Sequence, residues 1–200
     1  VSDVNLVRDK KKNIKIICIG VSTGGPLVVQ KILEKLPKDL SVPIVIVQHI
    51  TVGFLGGLVD WLNNTSALPV HIAKNNQVML PGNVYFAAEK HQMKITHNNK
   101  IVLTHDEDEN GIKPSVSYLF RSIAEIYKDC AIGILLTGMG RDGAKELLEM
   151  KERGCVTIAQ DKETSVVHGM PGEAIKIGAA QYVLSPDKIV EFITGLFQYV

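Results

Sequence analysis

Short apolar runs recur along the chain, and between them lie segments whose apolar residues return every three or four positions. The runs cover residues 14–19, 44–47, 70–73, 84–87, 132–136, 156–159 and 182–184. Several offer apolar side chains to both faces, which suits strands of a parallel sheet covered on each side. The intervening segments read as helices. Pro26 opens one that carries Leu27, Val28, Ile32, Leu33 and Leu36 and stops at Pro37. Others are expected over 54–62, 114–127, about 143–152 and 171–177, with Gly154 and Gly178 as C-terminal stops. Ser185-Pro186-Asp187 caps a last helix carrying Ile189, Val190, Ile193, Leu196 and Phe197. Residues 93–97 and 101–104, around Asn98-Asn99, read as a hairpin inserted into this alternation. The pattern predicts a three-layer α/β fold, a mostly parallel sheet with a β-hairpin insertion and right-handed crossovers.

Two hundred residues suit one domain, here 14–200, preceded by a polar linker or tail over 1–13. Hydrophobic residues make up 46% of the chain, enough for a sizeable core. The 22 basic and 21 acidic side chains leave a net charge of +1, so no basic excess points to nucleic acid or to a membrane surface. The cluster Lys10-Lys11-Lys12 is short and reads as a solvated linker end. No apolar stretch reaches membrane-spanning length. Cys18, Cys130 and Cys155 are odd in number and widely spaced beside apolar runs. They read as reduced thiols in a cytoplasmic protein.

The first strand runs into Gly20-Val21-Ser22-Thr23-Gly24-Gly25-Pro26. A buried strand, a tight glycine turn and then a helix hold a hydroxyl at the end of a sheet, facing free backbone N–H groups and the positive end of a helix dipole. Gly-x-Ser-x-Gly also matches the nucleophile elbow of serine hydrolases. The alternatives are that Ser22 satisfies backbone groups in a turn, or that the glycines hold a phosphate. In an open parallel sheet, function collects at the carboxyl ends of strands. Two further loops there carry candidates: Gln48-His49-Ile50, and Thr137 to Gly143 with Asp142 in it. A serine needs an imidazole to take its proton and a carboxylate to hold the imidazole's tautomer. The chain order Ser22, His49, Asp142 differs from the Ser, Asp, His order of α/β-hydrolases. Taken singly, His49 can simply end a strand, and Asp142 precedes a helix and suits its N-cap. The remaining histidines, His71, His91, His97, His105 and His168, show no metal-binding spacing. Asp106-Glu107-Asp108-Glu109 reads as a solvated loop. The residues imply no cofactor and no metal.

Seven motifs occur in one order: Ile19 to Gly25, Gln48-His49, Leu80-Pro81-Gly82, Pro114-Ser115-Val116, Leu136 to Ala144, Ile158-Ala159-Gln160, and Val166 to Pro171. This order resembles the catalytic domain of CheB-type chemotaxis receptor protein-glutamate methylesterases over about 14–198. The resemblance implies a doubly wound α/β fold with Ser22 as nucleophile, His49 as base and Asp142 as its partner. It also implies that Met139 lends a backbone N–H to the oxyanion hole and that Thr23 helps position the histidine. The implied substrate is a glutamate γ-methyl ester on the helical domain of a methylated chemotaxis receptor, with methanol released; some relatives deamidate glutamine. Family members usually carry a phosphoryl-receiver domain, which would be a further partner. The chain departs from the usual pattern at Thr51 to Phe54, at Ala88-Glu89-Lys90 and at Ser117. Two rival readings remain at this point: a phosphate- or nucleotide-binding module, whose Gly-x-Gly-x-x-Gly fingerprint fails at Ser22, and a scaffold that binds receptor without turnover.

Overall fold

The structure is a computed structural model that describes residues 13–109 and 111–197. The tail expected over 1–13 therefore lies, but for Asn13, outside the described residues. Seven strands form one sheet: β1 (Ile16–Val21), β2 (Ile44–Gln48), β3 (Val70–Ile72), β4 (Val84–Phe86), β7 (Ala131–Leu135), β8 (Val156–Gln160) and β9 (Tyr182–Leu184). Their order is β3-β4-β2-β1-β7-β8-β9, and every pairing in this sheet is parallel. The remaining two, β5 (Gln92–Ile95) and β6 (Ile101–Thr104), pair antiparallel as the expected hairpin, with its first strand ending two residues early.

Two hydrophobic cores cover the sheet. One holds α1 (Gly25–Lys35), α2 (Leu55–Thr65) and α6 (Pro186–Phe197) against alternate residues of the strands, such as Ile17, Ile19, Ile44 and Ile46. The other holds α3 (Val116–Tyr127), α4 (Ala144–Glu152), α5 (Met170–Lys176) and the hairpin against Ile16, Cys18, Val45 and Val47. The period-2 alternation of neighbouring residues between the two cores is the reason both faces of each central strand are apolar. Gly154 and Gly178 do stop α4 and α5. Each has positive φ, 91° and 75°, and each is followed by a residue whose N–H returns to the last turn, Cys155 to Met150 and Ala179 to Ala174. That is the Schellman geometry, which favours glycine.

β1 is displaced from the expected 14–19, running through Gly20 and Val21. Pairing on both sides extends it: Gly20 sits opposite Val47 and Leu135, and Val21 opposite Gln48. Gly20 is there for a close approach, because a Cβ on it would lie 2.3 Å from the Val116 side chain at the start of α3. The consequence is that Ser22 is the first residue beyond the strand. None of the three cysteines forms a disulfide, and Cys18 and Cys155 are buried. No helix among the described residues is long and apolar enough to cross a membrane.

Candidate active site

From β1 the chain builds the sheet first toward β2, and only later takes up the other side with β7. The switch therefore lies between β1 and β7, where loops leaving the carboxyl ends diverge and open a crevice. Ser22 follows β1, His49 follows β2 next door, and Asp142 lies in the loop after β7.

Backbone contacts fix the serine turn from three sides. The Ser22 N–H donates to the Thr137 carbonyl at 3.0 Å, and the Ser22 carbonyl accepts from Gly25 N–H at 2.9 Å and from Gln48 Nε2 at 2.9 Å. Thr137 Oγ1 lies 2.9 Å from the Thr23 carbonyl oxygen and accepts the Val167 N–H at 3.0 Å. The packing at this point leaves no room for side chains: a Cβ on Gly138 would lie 2.7 Å from Ser22 Cβ and 2.4 Å from Met170 Sδ. Ser22 is half-buried, and its hydroxyl has no hydrogen-bond partner among the described residues. The N–H groups of Thr23 and Met139 are likewise unpaired among the described residues. Thr23 is exposed, and it engages its neighbours through its carbonyl rather than its hydroxyl. The Met139 side chain is 71% exposed, so what it can offer the crevice is backbone.

His49 is held by its own backbone, its N–H donating to the Val21 carbonyl and its carbonyl accepting from Gln48 Nε2, each at 2.9 Å. Its ring Nε2 lies 2.9 Å from Asp142 Oδ2. The approach is close but oblique, so the buried Nε2 has no well-aligned acceptor.

Asp142 is only 4% exposed. Taken singly it also suited the cap of the helix that follows, and of its two readings that one is excluded. α4 is capped by Gly143, in the left-handed region with φ 83°, without any side-chain cap. The Asp142 carboxylate turns instead to the start of α3, distant in sequence. Its Oδ1 accepts from Ser115 Oγ at 2.9 Å and from Ser117 N–H at 3.1 Å, and its Oδ2 from Val116 N–H at 2.7 Å. Burial pushes this carboxyl's pKa up, but the close His49 imidazole and the hydrogen bonds at Ser117 and Val116 outweigh burial and hold it down at about 2. The group is an anion at neutral pH, placed where free N–H groups and the helix dipole both favour one.

The supporting residues were not anticipated. Thr137 and Gln160 are fully buried, and Gln160 Oε1 accepts the Thr137 N–H at 2.8 Å. Ser117 Oγ donates to Glu146 at 2.6 Å and accepts the Gly143 N–H at 3.0 Å, tying α3 to the Asp142 loop. A buried Gln ending β2 and another ending β8 were legible signals, because an amide inside a sheet must find partners. The acidic run at 106–109 is not merely solvated: Asp106 meets Tyr118, Asp108 meets Lys113, and Glu109 meets Arg121. The other histidines stand apart from the site, except that His168 pairs through its backbone with Gly138. Among the described residues no group of three or more His, Cys, Asp or Glu is placed to hold a metal ion.

An open cleft of about 410 Å³ lies on the Asp142 side, lined by Ile112, Met139, Gly140, Arg141 and Asp142. An unbonded hydroxyl, an imidazole against a buried carboxylate and unpaired N–H groups beside a cleft form the parts list for acyl transfer.

Comparison with known proteins agrees with this chemistry. The CheB methylesterase family model matches residues 17–193. A protein-glutamate methylesterase/protein-glutamine glutaminase of Nitrosospira multiformis is 56% identical over 182 residues, which are 91% of this chain and 51% of that protein. A protein of the same description from Geobacter metallireducens is 51% identical over 184 residues, 92% of this chain and 53% of its own length. The crystal structure of the Thermotoga maritima CheB methylesterase catalytic domain superposes with a TM-score of 0.88 at 41% identity, covering 92% of this chain and 98% of that one. The chain spans about half the length of the curated relatives it matches. The chain belongs to the CheB methylesterase family.

Proposed function

From that membership we propose that the chain is a serine esterase that hydrolyses glutamate γ-methyl esters on a methylated chemotaxis receptor and releases methanol. The observation that carries this reading is the 2.9 Å approach of His49 to the buried Asp142, with Ser22 at the end of the strand paired with the one that leads to His49. With Asp142 2.9 Å from Nε2, Nδ1 is the nitrogen left to take the Ser22 proton as Oγ attacks the ester carbonyl carbon. The N–H groups of Met139 and of the turn leading into α1 stabilise the oxyanion. As the tetrahedral intermediate collapses, the C–O bond to methoxide breaks and His49 returns the proton, giving methanol. Water, deprotonated by the same imidazole, then attacks the acyl-enzyme and frees glutamate and Ser22. A glutamine side-chain amide reacts by the same route: the C–N bond breaks, its nitrogen leaves as ammonia with the proton from His49, and water frees glutamate from the acyl-enzyme, which is the glutaminase activity in the relatives' names.

The substrate is a folded protein surface rather than a free amino acid. Phe54, Met139 and Val166 on loops and Leu27 in the first turn of α1, each at least 65% exposed, stand at this end of the sheet. Apolar residues left in water around a reactive centre suit the helical cytoplasmic domain of a receptor. A phosphoryl-receiver domain is the proposed regulatory partner, on the family resemblance, and the site of action is the cytoplasm. A phosphate-binding module is disfavoured, since it gives the His49–Asp142 contact no purpose. The test is methanol release from methylated receptor membranes, compared with free glutamate γ-methyl ester. Release that is absent, or equally efficient from the free ester, refutes the proposal.

A further inference from the structure

Gln48 closes β2 with its side chain buried, only 4% exposed. Its Nε2 donates to two carbonyl oxygens, that of Ser22 at 2.9 Å and that of His49 at 2.9 Å. One amide group thus ties the turn that carries the hydroxyl to the loop that carries the imidazole. The amide has only one tenable orientation. Turned over, Oε1 would face both carbonyl oxygens, acceptor against acceptor. In the orientation it keeps, Oε1 is buried without any donor among the described residues.

Gln160 shows what a satisfied glutamine looks like in the same region. It closes β8, accepts the Thr137 N–H through Oε1 at 2.8 Å and donates through Nε2 to the Thr164 carbonyl at 2.9 Å. Gln48 instead leaves one end orphaned, which core packing alone disfavours. The serine turn is also moulded to this amide: a Cβ on Gly25 would lie 2.5 Å from Gln48 Oε1 and 3.0 Å from Nε2. The oblique His49–Asp142 contact leaves the imidazole under-held by its carboxylate alone.

We propose that Gln48 is a positioning residue for the reaction, a two-carbonyl clamp that fixes the spacing of Ser22 and His49. This rests on the esterase reading above and adds to it the element that sets the distance between nucleophile and base. Gln48 touches neither substrate nor reacting atoms. It acts on the rate of the chemical step and not on the binding of what reacts.

The experiment labels the whole chain with a fluorophosphonate probe, which needs an activated serine but no receptor. Wild type, Ser22→Ala and Gln48→Met are compared over a range of probe concentrations, alongside thermal unfolding. Methionine keeps the length and apolar bulk while removing both donated bonds and the orphan acceptor. The expected result is a saturating rate at least about tenfold lower in Gln48→Met, since small misplacements of reacting groups carry losses of that size. The half-saturating concentration should stay within about twofold, because the cleft is unchanged. A saturating rate within a few-fold of wild type overturns the clamp. So does a loss of fold in both Gln48→Met and Gln48→Leu, which would assign Gln48 to the core. Failure of wild type to label at Ser22 refutes the esterase reading itself and is distinguishable from either outcome.

Discussion

Asp142→Asn should destabilise this protein markedly, against the near-silence expected of a helix cap, where asparagine serves about as well as aspartate. The carboxylate accepts from Ser115 Oγ, Val116 N–H and Ser117 N–H while His49 Nε2 stands 2.9 Å away. An asparagine has one acceptor oxygen. If that oxygen keeps Ser115 and Ser117, its NH2 faces the buried Val116 N–H, donor against donor, and the imidazole Nε2 must turn acceptor. The magnitude follows from linkage. A carboxyl held at about 2 against an ordinary 3.8 contributes roughly 2–3 kcal/mol of stability at neutral pH. For a domain of this size that is roughly 5–10 °C in thermal midpoint. The sign is fixed by the direction of the shift. The native carboxyl is the stronger acid, so its contribution is complete above about pH 4 and is lost as pH falls toward 2.

Thermal unfolding of wild type and Asp142→Asn from pH 7 down to pH 3 is the assay. The gap should be full at pH 7 and narrow below pH 4, and midpoints agreeing within about a degree at pH 7 would refute the reasoning. The same variant tests the chemistry. The asparagine NH2 favours the tautomer with the proton on Nδ1, which cannot take the Ser22 proton. A comparable change in a serine protease costs about 10⁴ in turnover. Fluorophosphonate labelling of Ser22 should slow at least about tenfold, and an unchanged rate would leave Asp142 a structural carboxylate only.

Ser22→Ala should abolish methanol release while moving stability by no more than about 0.5 kcal/mol, since its hydroxyl makes no hydrogen bond; retained release removes Ser22 from the mechanism. Thr137→Val strips the Val167 N–H and the Thr23 carbonyl of a fully buried partner, a loss of about 1–3 kcal/mol that denaturant unfolding would read. Gly138→Ala puts a methyl 2.7 Å from Ser22 Cβ, so labelling should fall at least about tenfold, and wild-type labelling would mean that the loop is softer than its packing implies.

The layers of the fold were legible because they rest on short-range patterns. Residues such as Ile17 and Cys18 alternate between two cores, so runs apolar on both faces announced a covered parallel sheet. Glycines at 154 and 178 announced helix ends for a local conformational reason. Strand ends were less legible. β1 gains Gly20 and Val21 only because β2 and β7 pair with it on either side, and no window around residue 20 contains that information. The candidate residues Ser22, His49 and Asp142 were nameable as unusual groups at strand ends. Their supports were not, because the partners of Gln48, Thr137 and Gln160 lie up to 114 residues away in sequence.

Asp142 shows why the distinction matters. Locally it reads as the cap of the helix beginning two residues later, and an aspartate before a helix usually is one. The left-handed Gly143 takes over that end and frees the carboxylate to cap α3 instead. One buried anion therefore satisfies the start of a core helix and faces the imidazole. The two duties reinforce each other: the helix N–H groups keep the carboxyl ionised, and an ionised carboxyl is what stabilises an imidazolium beside it. Folding energy and site electrostatics are thus coupled at Asp142. They are separate at Ser22, whose hydroxyl bonds to none of the described residues. A substitution series across these two positions should accordingly show activity falling with stability at residue 142 and without it at residue 22.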